Sequence, residues 1–274
     1  MTQQQSITSK TSRSKSADPK RVRQYYWSFW LDNLVFLAWG ILLLKYAVTK
    51  EYKLLIHPNY FLLMVATGIL LLTIAIVRGS LFLRSPNSPF DNPQHITLFP
   101  ARFSRTLLLG VAIAGIIISP QVLTSEIALQ RGVTESLPMT RSQPQSFVTT
   151  TQPEERSLID WVRTLNAYPE PDAYQGQSAK VTGFVVHLPE LPANYILISR
   201  FIVTCCAIDA YPIGIPVQLP GDRSTYPPDT WLEITGTMAT ANLPREDYQN
   251  QRKLVLIPSE IKQIPTPRDP YITD

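Results

Sequence analysis

Two cysteines are all that this 274-residue chain has, and they are adjacent, Cys205-Cys206. That excludes a disulfide-stapled scaffold and every CxxC zinc array. Histidine is nearly as scarce, at three residues. No Ser-His-Asp spacing, phosphate-binding loop or HExxH helix occurs, so the sequence predicts no enzyme. Charge is thin at 17% of residues, against 45% hydrophobic. It is also unevenly placed: residues 1–123 hold 13 basic and 4 acidic side chains, and residues 124–274 hold 12 and 17. The net +4 therefore conceals a basic front half and an acidic rear half.

What the front half has is apolar runs: Tyr25 to Val48, Tyr60 to Val77 and Arg105 to Leu123. Each approaches the roughly 20 helical residues that cross a bilayer core, which predicts three transmembrane helices. The second, YFLLMVATGILLLTIAIV, carries no charge. Pro120 interrupts the third late, where a helix nearing the interface can end. Tyr25, Tyr26, Trp27 and Trp30 form an aromatic belt at the start of the first, and Lys45 can snorkel from its other end. Asp32 lies either at headgroup depth or against another helix. The first run is long for a signal peptide and no small-x-small cleavage site follows it, so it is expected to stay as a helix.

Lys10, Arg13, Lys15, Lys20, Arg21 and Arg23 precede the first run, and Arg78, Arg84, Arg102 and Arg105 flank the second connection. The first connection has only Lys50 and Lys53 against Glu51. The positive-inside rule then puts the N-terminus in the cytoplasm of a multi-pass cell-membrane protein, and three crossings export the C-terminal half.

Residues 1–24 read as a disordered basic tail near anionic lipid, 25–123 as the helices, 124–154 as a polar Ser/Thr/Gln/Pro linker and 155–274 as an extracytoplasmic domain. The stretch Ser85 to Pro100, with four prolines, reads as a stiff connector. In ERSLIDWVRTLNA, Leu158, Ile159, Trp161, Val162 and Leu165 are at helical spacing and predict one helix leading the domain. Five strand-like runs follow: KVTGFVVHL, NYILISRFIVTC, IPVQLP, TWLEITGTMAT and RKLVLIPSEIKQI. Their number and spacing predict a small all-β, OB-fold-like barrel, with an Ig-like sandwich second. OB-folds often bind single-stranded nucleic acid in a basic groove, whereas this half is net acidic, so no nucleic-acid partner is expected.

The chemistry concentrates in Arg200-Phe-Ile-Val-Thr-Cys-Cys-Ala-Ile-Asp-Ala-Tyr-Pro-Ile-Gly214. On an extended strand Cys205 and Cys206 would face opposite sides. Pro212 and Gly214 mark irregular backbone, so the pair is placed at a strand end. Four readings stay open. The thiols can be buried as small hydrophobes; they can form a vicinal disulfide, which adjacent Cα atoms oppose; they can exchange redox equivalents, although the only electropositive neighbour is Arg200; or they can hold a soft metal such as zinc or copper, or a polar ligand, with Asp209 and His187 as companions.

This segment resembles that of the YcgQ-like membrane proteins. The resemblance rests on Arg200-Phe201, Cys205-Cys206-Ala207, Asp209-Ala210, Pro212 and Gly214, with Gly183-Phe184-Val185 upstream and Ile208 where alanine is usual. It implies N-terminal transmembrane helices, a soluble domain of unassigned chemistry and a multi-span permease as companion in the same bilayer. The expected arrangement has Arg200 and Asp209 orienting the turn while Cys205, Cys206 and His187 meet the metal or ligand. Trp231 and Gly236 are expected to serve packing. The alternatives are a purely structural membrane-anchored interaction protein and a thiol-redox protein.

Overall fold

The computed structural model describes residues 19–84, 100–133, 152–244 and 250–273. The basic tail to residue 18, the proline-rich connector over 85–99 and most of the linker, 134–151, lie outside the described residues. The chain divides into two compact units: Met1–Tyr46 with Leu63–Ile118, and Ala47–Leu62 with Ser119–Asp274.

The first unit is built from α1 (Pro19–Thr49), α2 (Phe61–Arg84) and α3 (Ala101–Ile117). Proline at the head of α1 suits a position whose N–H has no helical acceptor. Two spans, Tyr26–Thr49 and Pro58–Arg84, are long and apolar enough to cross a membrane, and α3 is shorter, at 17 residues. Large apolar side chains on α2 face outward, Ile69, Leu70, Ile76, Leu81 and Leu83 among them. Polar contacts join α1 to α3. Arg105 Nε donates to Asp32 Oδ1 at 2.5 Å, Trp39 Nε1 to Leu108 O at 3.1 Å and Tyr46 Oη to Gly115 O at 3.0 Å. Asp32, Trp39 and Tyr46 are seven residues apart in sequence, which puts them on one stripe of α1. Lys45 Nζ donates to Ile116 O at 3.1 Å and so places a cation at the negative end of α3. The helix-contact reading of Asp32 is thus the one realised. Against α2, Gly40 leaves room for Leu72, whose Cδ2 lies 2.7 Å from where a Cβ would stand. Close approach through small residues is a common device where water cannot drive helices together.

The second unit is a closed five-stranded barrel. Its strands are β1 (Ser178–Val186), β2 (Tyr195–Ile202), β3 (Tyr211–Gln218), β4 (Trp231–Pro244) and β5 (Asn250–Gln263), in the order β1-β2-β3-β5-β4. All neighbours are antiparallel except β3 and β5, and β1 closes on β4 from Ser178↔Thr237 to Phe184↔Trp231. The alternation of aliphatic residues, most of them β-branched, fills the barrel with Val181, Val185, Ile196, Ile198, Ile213, Ile215, Leu232, Ile234 and Leu256. At Gly236 the ladder shifts register, and an added Cβ would stand 2.1 Å from Ile257 O. Glycine is required there, and Trp231 is buried against Phe184 as packing predicted.

α5 (Leu158–Ala167) starts in a capping box, with Ser157 accepting from Asp160 N and Asp160 accepting from Ser157 N. Its apolar stripe, with Trp161 fully buried, joins the barrel core. The expected leading helix is therefore present. The linker holds a further helix, α4 (Ser125–Arg131), whose Ala128 is buried in a second cluster with Phe184, Phe201, Trp231 and Tyr271. An extended linker running from Thr124 is corrected to that extent: Ile127 and Ala128 reach apolar partners that the local sequence does not reveal.

Candidate metal- or ligand-binding turn

β2 ends at Ile202, and residues 203–210 form an irregular turn into β3. Both cysteines lie in that turn, at the strand end, so they are not held to opposite faces of a sheet. The Asp209 carboxylate organises it. Its Oδ2 accepts from Cys205 N at 2.8 Å and its Oδ1 from Cys206 N at 3.1 Å. Such short-range capping by aspartate closes a turn around its own backbone donors.

The thiols are free, with Cys205 exposed and Cys206 half-buried, and Cys205 Sγ donates toward Cys206 Sγ at 3.6 Å. Cys205 Sγ, Cys206 Sγ and an Asp209 carboxylate oxygen all lie within 4.8 Å of one another. The hydrogen bond to Asp209, then that to Cys206, pushes the Cys205 thiol up to about 12. Burial works against ionisation of Asp209, but hydrogen bonds from Cys205, Cys206 and Thr204 outweigh it and hold the carboxyl below its ordinary value. The Cys205 thiol thus keeps its proton at neutral pH, which is poor preparation for a nucleophile.

The turn is gripped from outside its own sequence. Residues 54–57, from the connection between α1 and α2, lie alongside it and meet it in a single isolated β-bridge. Ile56 pairs antiparallel with Cys206, His57 N donates to Cys205 O at 3.0 Å and Ala207 N donates to Leu55 O at 2.8 Å. From α4, Arg131 Nη1 donates to Ala207 O at 3.2 Å and also to Ala210 O. Val203 N donates to Ile272 O at 3.0 Å. Every one of these bonds ends on turn backbone, which leaves the sulfur atoms available.

Two expected members stand elsewhere. His187 follows β1, whose last residues pair with the start of β2 (Val186↔Leu197), so the antiparallel register carries it to the end of β2 opposite the cysteines. There its Nε2 bonds Tyr226 O at 2.9 Å. Arg200 turns to the C-terminal segment. Its Nη2 donates to Asp269 O at 2.7 Å, its Nε to Pro270 O at 3.3 Å, and its guanidinium lies 5.9 Å from the Trp231 ring. It anchors the tail beside β2 and does not reach into the turn.

Arg131 and the 54–57 segment were not foreseen as parts of the site. Arg131 had a local signal, a basic residue in a last turn before Gly132, which takes φ 74°. The Leu55–His57 segment had none, since its partner is about 150 residues away.

Residues 146–274 match the family model described as the DUF1980 C-terminal domain. No curated protein matches the chain. Ten solved chains match. One, described as an OBody bound to hen egg-white lysozyme, is similar at 20% identity over 36% of this chain and 90% of its own, with a TM-score of 0.22.

Proposed function

We propose that this protein is a membrane-anchored accessory subunit of a permease, a YcgQ-like member of the DUF1980 proteins, whose barrel holds a soft metal ion or polar ligand at Cys205, Cys206 and Asp209. The observation that carries the binding reading is the convergence of two sulfurs and a carboxylate within 4.8 Å. Two zinc–sulfur bonds of about 2.3 Å at a tetrahedral angle set their sulfurs about 3.8 Å apart. The present 3.6 Å separation is already close to that. Asp209 accepts the Cys205 and Cys206 amides and the Thr204 and Cys205 side chains, and the lone pair that the Cys205 thiol vacates on losing its proton becomes available to a metal. Three donors leave a position for water, a transported ligand or a side chain of the permease, as suits a site that passes its occupant on.

The raised Cys205 thiol weighs against redox exchange and makes metal capture pH-dependent, because a proton must leave as the metal arrives. The purely structural reading draws on the same Asp209 hydrogen bonds, which close the turn with no ligand. It gives no reason for the exposure of Cys205.

The membrane topology has support from the chain path. If α1 and α2 cross, their connection emerges on the face opposite the N-terminal tail. The barrel hydrogen-bonds to that connection through Leu55, Ile56 and His57, so the chain must cross again before Ser119. α3 is the helix described in that interval. Its 17 residues span about 26 Å, near the thickness of a hydrocarbon core. With the basic tail inside, the barrel is extracytoplasmic. The permease itself comes from the YcgQ-like resemblance.

Elemental analysis and thiol titration of the full-length protein, beside its Cys205→Ser/Cys206→Ser variant, test the binding reading. Near-stoichiometric zinc or copper in the parent that vanishes in the variant is expected. Metal-free parent protein that refuses added zinc would leave the structural subunit.

A further inference from the structure

We propose that the turn carrying Cys205, Cys206 and Asp209 lies on the membrane surface with Ile208 inserted among the lipid headgroups, so that its occupant is taken up or released at the bilayer face. The inference rests on the reading that α1 and α2 cross the membrane.

The first apolar span ends at Thr49 and the second starts at Pro58. Residues 50–57 therefore join two crossings with eight residues and are confined to one interface. Ile56, paired with Cys206, is only two residues from the second span. From Ile56 to Phe61 the chain travels roughly 13 Å, two extended steps and a 3-10 turn over Pro58–Tyr60. The cysteine turn cannot be farther from the hydrocarbon boundary than this tether and one strand spacing allow.

Ile208 then stands out. It is 87% exposed at the tip of the turn, the most exposed of the large hydrophobic side chains among the described residues. Nothing in the turn's own hydrogen bonding requires an apolar residue there. The segment it is laced to brings interfacial chemistry of its own. Tyr60 and Phe61 are exposed, Tyr52 packs on Phe61 with ring centroids 4.9 Å apart, and Lys50 is exposed to anionic headgroups, whereas Lys53 Nζ is held by Asp269 Oδ1 at 2.5 Å. An exposed apolar tip, on a turn bonded to a segment that carries interfacial aromatics and Lys50, fits a lipid surface, and continuity with the spanning helix brings that surface within reach.

Site-directed spin labelling of the full-length protein in phosphatidylcholine–phosphatidylglycerol vesicles tests this. Single cysteines are placed by Ile208→Cys, Ile69→Cys or Glu260→Cys in the Cys205→Ser/Cys206→Ser background. Ile69 reports the exposed face of α2 and Glu260 the exposed surface of β5. At position 208 the ratio of oxygen to nickel-chelate collisions is expected to be at least roughly threefold that at 260 and below that at 69, as for interfacial side chains. A ratio at 208 equal to that at 260, with 69 still deep, overturns the proposal and keeps the spanning reading. A watery ratio at 69 overturns both. Exclusion of both colliders from 208 also overturns it, since a protein surface then covers the turn. If the serine background does not fold, Ile208→Trp in the native-cysteine chain is read by quenching with lipids brominated near the headgroup. Extra quenching over the parent is expected, and none overturns the proposal.

Discussion

The helical unit and the barrel solve opposite solvation problems with opposite arrangements. On α2 the large apolar side chains Ile69, Ile76, Leu81 and Leu83 face outward, while Asp32, Trp39, Lys45 and Tyr46 direct their polar atoms to α3. In the barrel Val185, Ile198, Ile213 and Leu256 face inward. The difference teaches that burial inside this chain is the wrong measure of where its apolar residues find their solvent. On the proposal that α1 and α2 cross a membrane, that solvent is lipid for the first unit, and helix association there depends on polar and close-packed contacts in place of water exclusion.

The barrel is most vulnerable at Gly236. Gly236→Val sets a side chain against Ile257 O and should cost the barrel about 4 kcal/mol or more, seen as loss of the β-sheet circular dichroism signal while helical signal persists. A matched pair sharpens the contrast between the two units. Leu256→Ala empties fully buried volume and should destabilise the barrel by ~2–5 kcal/mol in denaturant titration. Ile69→Ala removes a comparable side chain from an outward face and should cost under ~1 kcal/mol in micelles. A large Ile69 effect would mean that its face is covered by protein. Next comes the seam: Asp32→Ala strands the Arg105 guanidinium and should weaken helix association by ~1–3 kcal/mol, partly restored by Arg105→Leu on top of it. A double variant as weak as the single would contradict the pairing.

The smallest effect on stability, though not on reactivity, belongs to the turn. Because the Cys205 thiol is pushed up to about 12, the folded state favours the thiol form. Its stabilisation is complete below the ordinary thiol range near 8.5 and is lost as pH rises toward 12. The depressed Asp209 carboxyl works the other way: its stabilisation is present above about 3.9 and is lost as pH falls through its lower folded value. Asp209→Asn should therefore speed alkylation of the cysteines at pH 8 by about tenfold or more in metal-free protein. An unchanged rate would show that Asp209 does not hold the thiol.

The strands were legible in the sequence because their period is local: KVTGFVVHL and TWLEITGTMAT alternate, and β1 and β4 formed there with the expected OB-like barrel. The placement of Cys205-Cys206 at a strand end was legible from Pro212 and Gly214 for the same reason. His187 was misjudged because proximity across β1 and β2 depends on antiparallel register, which carried it to the opposite end. Arg200 looked like a site residue by adjacency, yet its acceptors are carbonyls some 70 residues downstream. α4, seven residues long, is too short for a periodicity to show, although Gly132 marks its end. The grip of Leu55 to His57 on the turn joins the two apolar spans to the cysteines through backbone alone, and no side-chain pattern could have announced it.

Cys205, Cys206 and Asp209 are proposed to hold one soft metal ion together. X-ray absorption at the zinc edge, on the full-length protein in nanodiscs loaded with one equivalent of zinc, tests it most directly. Two sulfur scatterers at about 2.3 Å with lighter oxygen or nitrogen donors completing the shell are the predicted result, with the sulfur signal absent from Cys205→Ser/Cys206→Ser. A first shell of oxygen and nitrogen alone in the parent would contradict it.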